Sequence, residues 1–320
     1  MISIIVPTFN SEKTIAKTIQ AIQEQETKEE TELIIVDDNS TDKTVQEIKK
    51  FNKIKLIQQE KNSGPAVARN TGAKNAKGEI IIFTDSDCVP EKNWLDEMIK
   101  PFENSKVVGV QGAYKTKQKN LTAKFVQIEI EDRYDLMKKK EFIDFIGSYS
   151  AAYRKKVFLE FKGFNEKFPS ASGEDPELSY RIEKKGLKLK FNPNAIVYHK
   201  HPESFLQYLK IKFFRGYWRI LLYKNHQDKM IKDSYTPQIL KFQIILMYAM
   251  IIGLITELVI PINFIPFYAF LLIFLVTLIP FTLKALKKDF FIGLISPKII
   301  FFRTFAFCTG LIWGLIKVKK

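Results

Sequence analysis

The amino-acid sequence predicts an α/β chain: a mostly parallel sheet flanked by helices, followed by an amphipathic helix and then C-terminal transmembrane helices. Three observations predict it. Short β-rich apolar runs alternate with helical patterns over the first part of the chain. Two long apolar runs follow one another near the C-terminus. The net charge of +15 over 320 residues is shared unevenly between the two parts, since residues 239–320 hold nine Lys or Arg against two acids, Glu257 and Asp289, a net +7. The resulting organisation is a catalytic region over 1–202, an amphipathic helix and linker over 203–238, and a membrane region over 239–320.

The strands are read from Ile2 to Val6, Leu33 to Val36, Ile54 to Ile57 and Ile80 to Phe83. Between them, Ser11 to Gln25, Thr41 to Phe51 and Pro65 to Ala76 carry helical patterns. Strands alternating with helices in this way assemble into a parallel sheet whose ligand site lies beyond the carboxyl ends of the strands. Those ends are polar here: Thr8 and Asn10 after the first, Asp37 and Asp38 after the second, Asp85, Ser86 and Asp87 after the fourth. No Gly-x-Gly-x-x-Gly follows the first strand and no Walker lysine loop occurs, so phosphate is handled by other means. The Lys-rich stretch Lys115 to Lys124 reads as a loop.

Glu203 to Tyr223 places Phe205, Leu206, Leu209, Phe213, Tyr217, Ile220 and Leu221 at helical spacing among Lys210, Lys212, Arg215 and Arg219. That pattern suits an interfacial amphipathic helix, with aromatics at headgroup level and basic groups toward anionic lipid. Ile239 to Ile260 and Phe264 to Leu283, joined by Pro261-Ile262-Asn263, are each long enough to cross a hydrocarbon core of about 30 Å. Lys284, Lys287 and Lys288 behind this hairpin put its ends, and with them the N-terminal region, on the cytoplasmic side. Ile299 to Ile316 is either a third span or an in-plane or re-entrant segment; as a span it would carry Lys317, Lys319 and Lys320 outward, against that rule. The start of the chain leads directly into a strand and shows no signal-peptide pattern. The expected location is therefore a cell membrane, multi-pass, with the catalytic region in the cytoplasm.

A hydrophobic content of 46% and two cysteines exclude a disordered chain and a disulfide scaffold. Cys88 and Cys308 lie in different predicted environments and are not expected to pair. The positive charge raises nucleic acid as a partner, but the lysines are scattered among acids or flank apolar runs, without a compact Arg-rich stripe. A membrane surface fits better, and no nucleic-acid partner is expected.

Asp85-Ser86-Asp87 follows a strand, so two carboxylates arrive at one turn. Carboxylate oxygens suit Mg²⁺ or Mn²⁺ completed by water and phosphate oxygens, although an Asp-rich surface turn has the same local pattern. The wider setting is more specific. Asn62-Ser63-Gly64-Pro65-Ala66-Val67-Ala68-Arg69-Asn70-Thr71-Gly72 and Ala76-Lys77-Gly78-Glu79 precede the acidic turn; Pro90 and Trp94-Leu95 follow it. With Ile4 to Asn10, Val36 to Asp42 and Gly173 to Arg181, the region over about 1–202 resembles the family 2 glycosyltransferases, of GT-A, Rossmann-like fold.

The resemblance implies roles. Asp37 or Asp38 would hold the base and ribose of a nucleotide, with Pro7, Thr8 and Asn10 lining the same pocket; one of the two acids can instead cap the turn containing Asn39, Ser40 and Thr41. Asp85 would face the ribose side and Asp87 the metal bridging the donor diphosphate. Arg69 would orient an acid or approach the diphosphate, or else form a structural ion pair. Glu174-Asp175 would open a helix and supply the general base, Asp175, with Glu174 orienting it or the acceptor. Some relatives recruit a histidine as a third metal ligand near His199; strand alternation aims His199 and His201 to one side, and His199 is the preferred ligand. Gly147 to Arg154 and Lys162 to Glu166 also resemble family segments but receive no role.

The Gln-x-x-Arg-Trp pattern of processive synthases is absent after Asp175, which speaks against repeated chain extension. The expected activity is inverting transfer of one sugar from a nucleotide-diphosphate sugar to a hydroxyl of a membrane lipid or lipid-linked glycan. Alternatives are a polyprenyl-phosphate sugar synthase and a noncatalytic membrane scaffold that binds nucleotide sugar.

Overall fold

A computed structural model describes residues 1–168, 173–231, 233–257, 259–260 and 264–317. The link Pro261-Ile262-Asn263 and the terminal Lys319 and Lys320 lie outside the described residues. The chain forms two compact units: 1–117 with 134–200, and 118–133 with 201–320.

The first unit contains strands β1 (Ile2–Thr8), β2 (Thr31–Asp37), β3 (Ile54–Gln58), β4 (Ile80–Thr84), β5 (Cys88–Pro90), β6 (Val107–Lys115), β7 (Ser150–Arg154) and β8 (Lys188–His199). They make one sheet in the order β3-β2-β1-β4-β7-β6-β8-β5. The four runs read from sequence pair in parallel; β7 then enters antiparallel between β4 and β6, β8 runs parallel to β6, and β5 closes the edge antiparallel to β8. Helices α1 (Ile15–Gln23), α2 (Thr44–Ile48), α3 (Pro65–Asn75), α4 (Trp94–Ile99), α6 (Lys155–Glu160) and α7 (Glu174–Lys184) belong to this unit, and α5 (Leu121–Lys138) straddles both. The loop expected over Lys115–Lys124 therefore ends at Asn120, where α5 takes over.

Why these segments fold so is visible in burial. β1 is buried at every position and β2 from Leu33 onward, as continuous apolar runs covered on both faces should be. Ile15, Ile19 and Ile22 of α1 repeat at helical spacing and join Ile4, Val6, Ile35 and Ile82 in one core. Gly72 lets α3 lie on β1, because a Cβ there would come within 2.4 Å of Ile5 Cγ2.

The second unit holds the first part of α5 with α8 (Phe205–Asn225), α9 (Gln227–Ile231), α10 (Gln238–Glu257), α11 (Ile265–Lys288) and α12 (Phe290–Lys317). Ser204 caps α8 by accepting the Gln207 N–H. Helices α10, α11 and α12 are each long and apolar enough to cross a membrane. Ile299–Ile316 thus belongs to one continuous helix, Phe290–Lys317. The basic, aromatic α8 packs along α12 at close range: Cβ atoms at Gly216, Gly310 and Gly314 would meet the carbonyl oxygens of Phe307, Phe213 and Tyr217 at 2.3, 2.0 and 2.6 Å. Small residues that admit backbone-to-backbone approach are how helices associate where lipid removes the hydrophobic drive. Phe125, Val126 and Ile128 of α5 share a core with Tyr208, Leu246, Phe274 and Ile300.

Candidate active site

In the first unit a cleft of about 840 Å³ opens beyond the carboxyl ends of β1 and β4. Pro7, Thr8, Asn10, Asp38, Arg69, Asp85, Asp87 and His199 all line it. Asp37, Glu174 and Asp175 are not among its lining residues and are connected to them as follows.

Asp37 is in register with Thr8 across β1 and β2. Its Oδ2 accepts the Ser40 N–H at 3.1 Å, while its Oδ1 and the Thr8 Oγ1 are buried without a hydrogen-bond partner among the described residues. Buried polar atoms rarely stay unsatisfied, so this pair is suited to a ligand's donor. Asp38, which lines the cleft, is held by backbone groups. Its two oxygens accept the Ser63 and Gly64 N–H groups, each at 2.8 Å, and Gly64 reaches the second with a φ of 92° that favours glycine. Burial nevertheless raises the Asp38 carboxyl above its ordinary value, with Asp37 adding to the effect. Asn10 is also occupied: at φ 49° its Oδ1 accepts the Thr41 N–H at 2.8 Å and its own N–H donates to Ser40 Oγ at 2.9 Å, pinning the loops after β1 and β2 together.

Strand β4 delivers Asp85-Ser86-Asp87 to the cleft. Arg69, 3% exposed, spans two acids: Nη2 donates to Asp85 Oδ1 at 2.8 Å and Nη1 to Glu174 Oε1 at 3.1 Å. The remaining Glu174 oxygen accepts the Gly173 N–H. Asp175 Oδ2 accepts the Ser148 N–H at 3.0 Å and its hydroxyl at 3.3 Å, leaving the buried Oδ1 without a partner among the described residues. Burial, followed by the charge of Glu174, pushes the Asp175 carboxyl up to about 7, against the pull of Arg69.

Asp87 Oδ2 lies 3.3 Å from His199 Nε2. Burial alone would raise the Asp87 pKa, but hydrogen bonding and charge from His199 carry it below the usual carboxylate range. The His199 ring rests 4.6 Å from Tyr114, which stacks on Tyr149 at 3.5 Å. Among the described residues, Asp85, Asp87 and Cys88 offer ligand atoms within 4.8 Å of one another and could hold a metal ion, although a thiol is a softer donor than a carboxylate. Burial, and then Asp85 and Asp87, push the Cys88 thiol well above the ordinary value. Of that group the two carboxylates are the donors suited to a hard divalent cation, and His199 is in contact with one of them, Asp87. Cys88 and Cys308 are both free.

The expectation that His199 and His201 face one way does not hold. Strand β8 ends at His199, so the alternation stops there. His201 falls in the second unit, buried, with its Nε2 2.9 Å from Gln127 Oε1 and its N–H donating to Gln118 Oε1 at 2.6 Å. Sequence reasoning also left Ser148 and Tyr114 without roles. The small-residue segment around Gly147 carried a signal for Ser148; nothing local marked Tyr114.

The model described as Glycosyl transferase family 2 matches residues 3–161. The chain carries a family 2 glycosyltransferase domain. Among curated relatives of this glycosyltransferase, dolichyl N-acetyl-alpha-D-glucosaminyl phosphate 3-beta-D-2,3-diacetamido-2,3-dideoxy-beta-D-glucuronosyltransferase of Methanococcus voltae is 28% identical over 256 residues, covering 69% of this chain and 76% of that protein. UDP-Glc:alpha-D-GlcNAc-diphosphoundecaprenol beta-1,3-glucosyltransferase WfgD of Escherichia coli is 36% identical over 129 residues, 39% of this chain and 51% of that protein. Of a longer relative the chain spans only 18%. A mannosyltransferase from Pyrobaculum calidifontis, solved with GDP-Man and Mn²⁺, matches with a TM-score of 0.65 at 19% identity over 100% of this chain and 88% of that one. The fold is GT-A, followed by helices of which three are apolar enough to span a membrane.

Proposed function

We propose that this glycosyltransferase is a metal-dependent, inverting enzyme that moves one sugar from a nucleotide-diphosphate sugar to a hydroxyl of a lipid-linked glycan or glycolipid at the cytoplasmic leaflet. The observation that carries the reading is the chain of contacts from Asp87 and His199, through Asp85 and Arg69, to Glu174 and Asp175. That continuity supports reading one end as a cation site and the other as the base. The relatives from M. voltae and E. coli are named for lipid-linked acceptors, and the Pyrobaculum mannosyltransferase was solved with GDP-Man and Mn²⁺. Both support the choice of donor and acceptor class, and the three apolar helices support a membrane location.

In this reading Asp37 and Thr8 take the nucleobase or ribose through their unpartnered oxygens. Asp85, Asp87 and His199 hold the cation, a set with a nitrogen donor that favours Mn²⁺ over Mg²⁺. A bound divalent cation would supply Lewis-acid stabilisation of the diphosphate leaving group. Asp175 accepts the proton from the acceptor hydroxyl as that oxygen bonds to the anomeric carbon and the bond from that carbon to the diphosphate oxygen breaks. The nucleoside diphosphate leaves with the electron pair, and the configuration inverts. A base with a pKa of about 7 is well matched to this task near neutral pH. Ser148 and Glu174 position it. Arg69 keeps the carboxylates apart and in register.

The test is a nucleotide-release assay on the full chain with a panel of nucleotide sugars, extracted membrane lipids as acceptors, and Mn²⁺ added or chelated. Release that needs one donor, a lipid acceptor and the metal is the expected result. Binding without turnover for every donor would sink the enzymatic reading and favour a scaffold.

A further inference from the structure

The second unit buries a cluster of charge that the transfer chemistry does not use. The Glu129 carboxylate on α5 meets three cations: Lys212 Nζ of α8 at 2.6 Å, Arg303 Nη1 of α12 at 3.1 Å and Arg133 Nη2 at 3.5 Å. All four residues are more than nine-tenths buried. Burial alone would raise the Glu129 carboxyl, but Lys212, Arg133 and Arg303 hold it well below the usual range, so it is ionised. The neighbouring Asp132 is paired with Lys284 at 2.8 Å and does not balance the rest. Burial depresses the Lys212 ammonium well below its ordinary value against the pull of Glu129; the two guanidiniums on one carboxylate by themselves leave an excess of positive charge, and an uncompensated charge away from water is strongly unfavourable.

A cavity of about 100 Å³ opens beside this excess, between α5, α10, α11 and α12. At about 10–15 Å³ of such volume per water, that is room for several waters or one tetrahedral oxyanion. Its polar side is lined by Arg133, Arg303 and Gln243 together with the Glu129 and Asp132 carboxylates, which are themselves held by cations, and its apolar side by Leu240, Phe281 and Ile300. Arg303 Nη2 donates to Gln243 Oε1 at 2.7 Å, which fixes the guanidinium. The Nε groups of both Arg133 and Arg303 are buried donors with no hydrogen-bond partner among the described residues. The polar side thus offers unspent donors and unspent charge; the apolar side offers hydrocarbon contact.

The position also fits a lipid. Glu131 and Asp132 of α5 pair with Lys288 and Lys284 near the end of α11, so the cluster sits toward the end of the bundle that carries the basic residues. Helix α12, at 28 residues, is about 42 Å long against a core of about 30 Å, so it is longer than the hydrocarbon it would cross. Basic pockets between spanning helices at the leaflet surface are where acidic headgroups bind.

We infer that this cavity binds the phosphate group of an anionic membrane lipid, with Arg133 and Arg303 as its ligands and Leu240, Phe281 and Ile300 against the start of the lipid chain. The inference rests on the membrane location of α10–α12 and is independent of the transfer reaction. The shared chemistry is a phosphate ester on a hydrocarbon chain, and either an acidic phospholipid or a polyprenyl phosphate provides it.

Native mass spectrometry of the full chain in detergent tests it, with phosphatidylglycerol, undecaprenyl phosphate, phosphatidylcholine and inorganic phosphate as separate probes. At least one of the two anionic lipids should be retained about tenfold or more over phosphatidylcholine and inorganic phosphate, and whichever is retained identifies the source. Arg303→Gln and, separately, Arg133→Gln should abolish that preference. Lys287→Gln, which removes an exposed charge, should keep it. Equal retention of the anionic lipids and phosphatidylcholine by the wild-type chain would overturn the proposal without recourse to any variant. So would inorganic phosphate bound as well as either lipid, or loss of the preference in Lys287→Gln, which would mark diffuse surface attraction.

Discussion

Each unit buries a cluster in which one charge is bonded to several of the opposite sign, and the two are mirror images. In the first, the Arg69 guanidinium is bonded to Asp85 and Glu174, with Asp175 next to Glu174. In the second, the Glu129 carboxylate is bonded to Arg133, Lys212 and Arg303. One cation stands among acids, and one acid stands among cations. The comparison teaches that the sign of a buried excess indicates the sign of what it is built to take: a divalent cation in the first unit, a lipid phosphate in the second, both as proposed above. A structural ion pair needs no such excess.

The largest expected effect lies at the acidic cluster. Asp175→Asn should lower kcat by about 10²–10⁴-fold, the usual share of a general base, while donor binding by titration stays intact. Undiminished turnover would remove Asp175 as the base and point to an acceptor that is already ionised, such as a polyprenyl phosphate. At the basic cluster, Glu129→Gln strips the only carboxylate bonded to three buried cations among the described contacts and should cost about 3–5 kcal/mol, read as a lowered melting temperature in detergent. Adding Arg303→Gln should recover part of that loss. If the single variant melted like the wild type, the two clusters would not be comparable.

His199→Ala sharpens the metal side. The Mn²⁺ concentration for half-maximal activity should rise about tenfold or more, with the maximal rate at saturating metal less affected; an unchanged metal dependence would leave the carboxylates as the ligands and His199 outside the set. The smallest effect is on pH. Asp175 must be ionised to accept a proton, and its carboxyl sits at about 7, so the rate should fall as pH drops below about 7 and level off above it. The same shift has a stability sign. A folded pKa above the ordinary value of about 3.9 means the fold favours the protonated form, so wild-type stability relative to Asp175→Asn should decline as pH rises from about 4 to about 7.

The parts of this architecture legible in the sequence are those encoded locally. β1, β2, β3 and β4 are apolar runs ending in polar residues, and each appears in the fold within a few residues of its expected limits. The acidic turn after β4 and the Glu174-Asp175 helix start are contiguous motifs, and both occur where read. What was not legible depends on partners far apart in the chain. Asp37 and Asp38 look equivalent as neighbours; only the Ser63 and Gly64 N–H groups, which occupy both Asp38 oxygens, tell them apart. His199 and His201 were separated by the end of a strand, a limit that alternation cannot supply. Glu129 and Arg303 are 174 positions apart, and no local pattern links them.

The order of the two units along the chain carries a practical consequence. The polypeptide leaves the first unit at Gln118, returns at Tyr134 and leaves again at His201, so no single cleavage point parts them. A soluble fragment ending near residue 200 would strip Phe125, Val126 and Ile128 of the neighbours that cover them and present a sticky greasy ridge to water. Anyone seeking a crystallisable, detergent-free catalytic fragment will have to redesign the outward face of α5 as well as remove the C-terminal helices.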